Sequence, residues 1–87
     1  MNKYEFNLRC QCPVTPAITD SYDVTLITDK LIPVGDILDQ CAPLCAEPRF
    51  QEELTKLIAD HFGAEVTTVG LHWGVKITCV EKTSTGS

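Results

Sequence analysis

Lys3-Tyr4-Glu5-Phe6-Asn7-Leu8-Arg9-Cys10-Gln11-Cys12 is the stretch that decides the fold. Tyr4, Phe6, Leu8, Cys10 and Cys12 fall on one side of an extended chain, and Lys3, Glu5, Asn7, Arg9 and Gln11 on the other. A period of two with one apolar face describes a strand that lies on a core and shows its second face to water. The same alternation puts two cysteines on the core side, where a thiol serves as well for packing as for chemistry.

Working outward, Pro13 and Pro16 end this strand, and residues 13–20 read as a loop. A second strand begins near Tyr22, with Tyr22, Val24, Leu26 and Thr28 on one face and Asp23, Thr25, Ile27 and Asp29 on the other. Leu31 to Val34 lead into a short helix. Asp36 is its N-cap, Ile37, Leu38 and Cys41 form its inner face, and Pro43 ends it near Ala42. A second helix carries Pro48 in its first turn and an apolar stripe of Phe50, Leu54, Leu57, Ile58 and Phe62. Glu47, Glu52 and Glu53 match the positive start of its dipole, His61 its negative end, and Gly63 its left-handed exit.

Val66 to Leu71 is β-branched and apolar, and Val75, Ile77 and Cys79 alternate with Lys76, Thr78 and Val80. Gly70 and Gly74 bracket Leu71, His72 and Trp73, so the segment reads as two strands around a hairpin turn or bulge, with one long bent strand as the alternative. Glu81 to Ser87 reads as a frayed polar tail. The fold class is α+β: a four-stranded antiparallel sheet, order β-β-α-α-β-β, with two helices on one face. The 87 residues form one domain over 1–82, with a flexible tail at 83–87.

Composition narrows the function classes. A net charge of −5, with the basic residues scattered rather than clustered, argues against nucleic acid and against an acidic membrane surface. Apolar runs such as Leu31 to Val34 fall far short of the ~20 residues that span a bilayer, and the first residues lack a signal peptide's apolar region. A cytoplasmic location is the default. Five cysteines, an odd number, cannot all pair within the chain, which suggests reduced thiols. Cys10, Cys41 and Cys79 read as small core residues. A zinc site built from Cys10, Cys12, Cys41 and Cys45 is the weaker reading, because Cys-x-Cys within a regular strand chelates poorly. No metal site is expected, and no cofactor can be named.

Cys12 stands apart. It sits at a strand end, just before Pro13, where a thiol can face a cleft. A nucleophilic cysteine needs an acid or base beside it, and Asp20, Asp23, His61 and His72 are the available groups. The competing reading is an inert thiol at the core margin. His72 and Trp73 occupy the expected hairpin tip, where Trp73 packs across an interface or over a neighbouring element, or stacks on a ligand. Glu52 is either a solvated, dipole-matching charge or a carboxylate that receives the N–H groups of a heterocycle.

With these residues in place, the chain resembles one subunit of the tunnelling fold (T-fold), in which two helices lie between strands two and three and subunits join into closed barrels. Cys12-Pro13-Val14-Thr15, with Asp20 following, is similar to the nucleophile loop of the queuosine-pathway nitrile reductases of that superfamily. Phe50-Gln51-Glu52 resembles their Phe-His-Glu, with Gln51 where they carry His, and Val69-Gly70 with Gly74-Val75-Lys76-Ile77 resembles their final hairpin. The resemblance implies that Cys12 attacks a nitrile carbon to form a thioimide, that Asp20 donates the proton, and that Glu52 anchors the base. The family's Glu-Ser-Lys-Ser segment, associated with its nicotinamide cofactor, has no counterpart near Pro33 to Leu38, and the chain is shorter than those enzymes.

Two expectations follow. In the first, the chain is a self-associating T-fold-like subunit that binds a purine- or pterin-like heterocycle at a subunit interface, with catalytic Cys12 and Asp20 and ligand-binding Glu52, His72 and Trp73. In the second, it is a non-catalytic module that docks a partner protein through its sheet edge and Trp73.

Overall fold

The computed structural model describes residues 1–15 and 17–83. Its elements run β1 (Asn2–Gln11), β2 (Thr19–Thr28), α1 (Val34–Cys45), α2 (Gln51–Phe62), β3 (Glu65–His72) and β4 (Val75–Lys82). The strands form one antiparallel sheet in the order β1-β2-β3-β4, with both helices inserted between β2 and β3. This is the α+β architecture expected from the alternating patterns. The hydrophobic stripe of each helix must be buried against the sheet's apolar face, and the helices accordingly share that face. α2 lies over β3 and β4, and α1 packs against α2 and β1. The core between them holds Leu8, Tyr22, Val24, Leu26, Leu54, Ile58 and Val66.

Several boundaries differ from those expected, for local reasons. β2 begins at Thr19 rather than near Tyr22, because Cys10 pairs with Asp20 and Gln11 with Thr19. The connecting loop is shorter by that much, and Pro16 within it lies outside the described residues. α1 starts at Val34 with Pro33 as its N-cap, so Asp36 sits in the first turn instead of capping it. The helix also continues through Pro43 to Cys45. A proline this near the C-terminal end removes one hydrogen bond from an exposed face, and the Ala46 N–H restores a closing bond to the Pro43 carbonyl. Ile37 and Cys41 are buried as expected, but Leu38 points to solvent, 53% exposed.

α2 begins at Gln51, which leaves Pro48 ahead of the helix and Phe50 as its extended N-cap, 62% exposed. The buried stripe is therefore Gln51, Leu54, Thr55, Ile58, Ala59 and Phe62, polar at its first turn and apolar beyond. Gly63 closes the helix at φ 61°, a left-handed conformation that glycine adopts without steric cost.

β3 and β4 form a hairpin through a two-residue turn, Trp73-Gly74, with φ of 53° and 81°. His72 is not at the tip but is the last paired residue of β3, opposite Val75. β4 runs to Lys82, so Glu81 and Lys82 belong to the sheet; residues 84–87 of the expected tail lie outside the described residues.

Cysteine pairing departs from the reduced state suggested by the count. Cys10 on β1 and Cys45 at the end of α1 form a disulfide, with Cys12, Cys41 and Cys79 left free. Strand alternation and the extension of α1 past Pro43 together bring the two sulfurs to the same end of the core. Cys41 is buried as expected, whereas Cys79 is only half-buried on the edge strand. No helix among the described residues is long and apolar enough to cross a membrane.

Candidate functional site

The site begins with a missing side chain. Gly70 on β3 is the register partner of Tyr22 on β2, and the Tyr22 ring lies across it. A Cβ at Gly70 would stand 2.6 and 2.7 Å from ring carbons of Tyr22 and 3.3 Å from Gln51 Oε1. Without it, the ring reaches along the sheet to Asp20, and the Tyr22 hydroxyl donates to Asp20 Oδ2 at 3.3 Å. Burial first, and the Asp20 charge second, push the Tyr22 phenol well above its ordinary range, so it remains a donor.

His72 packs beside this pair. Its ring centroid is 5.8 Å from that of Tyr22, and its Nδ1 is 3.7 Å from Asp20 Oδ1. Its Nε2 meets Gln51 Oε1 at 3.1 Å. Gln51 is itself buried and fully engaged. The two hydrogens of its Nε2 serve three acceptors, one of them shared: the Thr68 carbonyl (3.1 Å), the Thr68 hydroxyl (3.1 Å) and the Ile77 carbonyl (3.0 Å). The Thr55 hydroxyl donates to the Gln51 carbonyl at 2.7 Å and meets the Thr68 hydroxyl at 2.7 Å. Because Thr55 spends its proton on a carbonyl, the Thr68 hydroxyl is the donor between the two. No buried side-chain nitrogen or oxygen among the described residues lacks a partner.

Cys12 sits in the loop after β1. Its N–H donates to the Ile18 carbonyl, the Ile18 N–H to the Thr15 carbonyl, and the Thr15 N–H to the Cys12 sulfur at 3.5 Å. These bonds fold the loop into a compact turn and leave the sulfur half-buried. Across from it, Cys79 on β4 is a poor nucleophile: burial, then the Glu52 charge, push its thiol up.

Cys12, Asp20, Glu52, His72 and Trp73, named from the sequence, all line one cavity of about 560 Å³. That volume falls in the range of small-molecule sites. Cys12 and Asp20 come from the two ends of the β1–β2 connection, Glu52 from the first turn of α2, and His72 and Trp73 from the end of β3 and its turn. Trp73 is 90% exposed at the rim. Phe50, displaced from the expected core stripe, is part of the lining. The cavity holds two carboxylates, Asp20 and Glu52, and no Lys or Arg among its described lining. The other acid–base candidates lie elsewhere: Asp23 hydrogen-bonds Asn7, and His61 meets Gln40. No group of three or more His, Cys, Asp or Glu among the described residues is arranged to hold a metal.

Sequence reasoning missed Gln51 and Tyr22 as site residues. Tyr22 reads as an ordinary core residue of β2. Gln51 left a fainter trace: Gln51 and Thr55 are polar residues four apart on the buried face of α2, which requires hydrogen-bond partners from β3 and β4.

No family model matches the chain, and no curated protein matches it. Among solved structures, the apo crystal structure of the archaeosine synthase QueF-Like superposes with a TM-score of 0.77 at 16% sequence identity, over 92% of this chain and 89% of that one. The chain therefore has the T-fold architecture that its order of elements resembles.

Proposed function

We propose that this chain is a T-fold subunit that self-associates and binds a flat, purine- or pterin-like heterocycle in the Cys12–Glu52 cavity, with Cys12 placed to add to an electrophilic carbon of that ligand. The observation that carries this reading is convergence: residues separated by more than sixty positions in the chain meet around one opening. The chemistry of the lining is consistent with it. A carboxylate at Glu52 receives paired ring N–H groups. Phe50 and Trp73 offer aromatic faces for stacking, and an acidic lining without Lys or Arg among its described residues disfavours phosphate-bearing ligands. The T-fold likeness is to a protein named as a synthase, which supports a small-molecule site on this fold. Self-association draws support from the two open edges of the sheet, β1 and β4, which leave unpaired backbone groups on either side.

A nitrile carbon fits the thiol. Addition of Cys12 Sγ to a nitrile forms one S–C bond, breaks one C–N π bond and leaves a protonated imine nitrogen, with no change in redox state. No counterpart of the family's nicotinamide-associated segment exists here, so reduction is not part of the proposal. A second reading rests on Trp73, which stands 90% exposed between exposed Leu71 and Val75 at the free end of the hairpin. In that reading the tip and the β4 edge dock a partner protein.

The test is a thermal-shift panel of pterins and deazapurines, with and without a nitrile, followed by intact-protein mass spectrometry and native mass spectrometry. The expected results are stabilisation that Glu52→Ala abolishes, a nitrile-dependent adduct that Cys12→Ala abolishes, and a discrete oligomer. Stabilisation that survives Glu52→Ala would remove the anchoring role. A monomer that responds to none of the panel would overturn the proposal in favour of partner docking.

A further inference from the structure

The hydrogen bonds around Gln51 determine where one proton in the cavity resides. Gln51 Nε2 faces two backbone carbonyls, those of Thr68 and Ile77, which only accept. The amide nitrogen must therefore point at the sheet, and the amide oxygen must be the atom that faces His72. An amide oxygen also only accepts, so the His72 Nε2, 3.1 Å away, must carry hydrogen. The other ring nitrogen, Nδ1, is then left facing Asp20 Oδ1 at 3.7 Å. At that separation the two face each other without a direct hydrogen bond, and Nδ1 is the ring atom turned to the carboxylate. Both groups are shielded, with side-chain exposures of 24% for His72 and 10% for Asp20.

We infer that Gln51 locks His72 with hydrogen on Nε2 and so turns Nδ1 to Asp20, which makes His72 the positioning residue for the Asp20 carboxyl at the cavity wall. The groups around the pair agree with this assignment. From β2, the Tyr22 hydroxyl donates to the far oxygen of Asp20 and stays neutral. From α2, Glu52 adds negative charge to the same cavity, and Gln51 is neutral. From β4, the raised Cys79 thiol is neutral, and Cys12 approaches from the loop. No cation among the described lining residues competes for the site.

The assignment supplies what the proposed addition needs. As Cys12 sulfur bonds to a nitrile carbon, its S–H bond and one C–N π bond break, and the thiol's proton is passed by way of Asp20 to the nitrile nitrogen. Atoms and electrons balance without an oxidant or reductant. This role rests on the heterocycle reading above, but the proton's location does not.

Two measurements therefore separate the failures. The first is long-range nitrogen–proton NMR of the ligand-free protein. The chain has two histidines, so His61→Asn assigns the spectrum. The expected result is hydrogen on His72 Nε2 at neutral pH. A neutral ring with hydrogen on Nδ1 alone would overturn the inference, whether or not any heterocycle binds. The second is the pH dependence of adduct formation with a nitrile-bearing deazapurine. His72→Gln should slow the adduct by about 100-fold and flatten its pH profile. An unaltered rate and profile in His72→Gln would refute the positioning role. Absence of binding would sink the heterocycle reading and leave the NMR result to stand or fall alone.

Discussion

Replacing Gly70 by alanine would place one methyl group between β3 and the ring of Tyr22. The ideal Cβ position is 2.6 and 2.7 Å from two ring carbons, where ordinary carbon–carbon contact needs ~3.5–4.0 Å, so the ring must retreat by about 1 Å. It has little room, because Tyr22 is 1% exposed and packed within the core. Overpacking of this kind costs about 1–3 kcal/mol. Lower entropy of the unfolded chain returns about 0.4–1 kcal/mol, and the net loss should be about 1–2 kcal/mol. For a domain of this size that corresponds to a fall in Tm of roughly 4–16 °C. The assay is urea and thermal unfolding followed by circular dichroism, with Gly35→Ala as control. Gly35 lies in the first turn of α1 with nothing within 4 Å of its ideal Cβ, so the control should be neutral or mildly stabilising. A Tm for Gly70→Ala equal to that of the parent would refute the placement of the Tyr22 ring, and with it the path from β3 to Asp20.

Other outcomes test the rest of the site. Trp73 occupies a left-handed position, φ 53°, in a two-residue hairpin turn that favours Asn-Gly. Trp73→Asn should therefore raise stability by about 1 kcal/mol while weakening heterocycle binding, and an unchanged or lower Tm would show that the indole holds the hairpin through contacts. Alkylation near neutral pH, mapped by peptide mass spectrometry, should modify Cys12 at least about tenfold faster than Cys41, whose thiol burial pushes up to about 11; faster modification of Cys41 would reverse the assignment. The same raised value makes stability depend on pH. The unfolded thiol loses its proton near pH 9 and the folded one near 11, so the unfolded state binds fewer protons between them and stability declines as pH rises through that window, by about 2–3 kcal/mol in all. Cys41→Ala should show a shallower alkaline decline than the parent, in which Tyr22 and Cys79 contribute equally to both proteins; identical slopes would contradict the burial of Cys41.

The architecture was legible because its signals are periodic. β1 and β2 alternate over ten residues each, and Leu54, Ile58 and Phe62 repeat at helical spacing, so the faces that must be buried could be named before they were seen. The ends of elements were less legible, because they depend on pairing. Thr19 and Asp20 are polar residues that join β2 only because Gln11 and Cys10 sit opposite them. Pro43 reads as a helix terminator, but its cost falls on the last turn, where α1 can bear it. Cys12, Asp20, Glu52, His72 and Trp73 could be proposed individually from residue type and local motif. Their meeting is a consequence of register and of helix placement, which no local pattern encodes. Gln51 was hidden for a related reason: a buried amide is defined by its partners, and Thr68, Ile77 and His72 lie 17 to 26 residues away.

That amide has a further consequence for motion. Its nitrogen clamps the start of α2 to β3 and β4, and its oxygen holds the imidazole, so the cavity wall and the domain's interior share one fastening. Local breathing that loosens the wall takes this donor from two strand carbonyls, at a cost of up to about 1–3 kcal/mol each. Amide-exchange protection of α2's first turn should therefore approach that of the central strands, and the cavity should keep its shape until the whole domain melts.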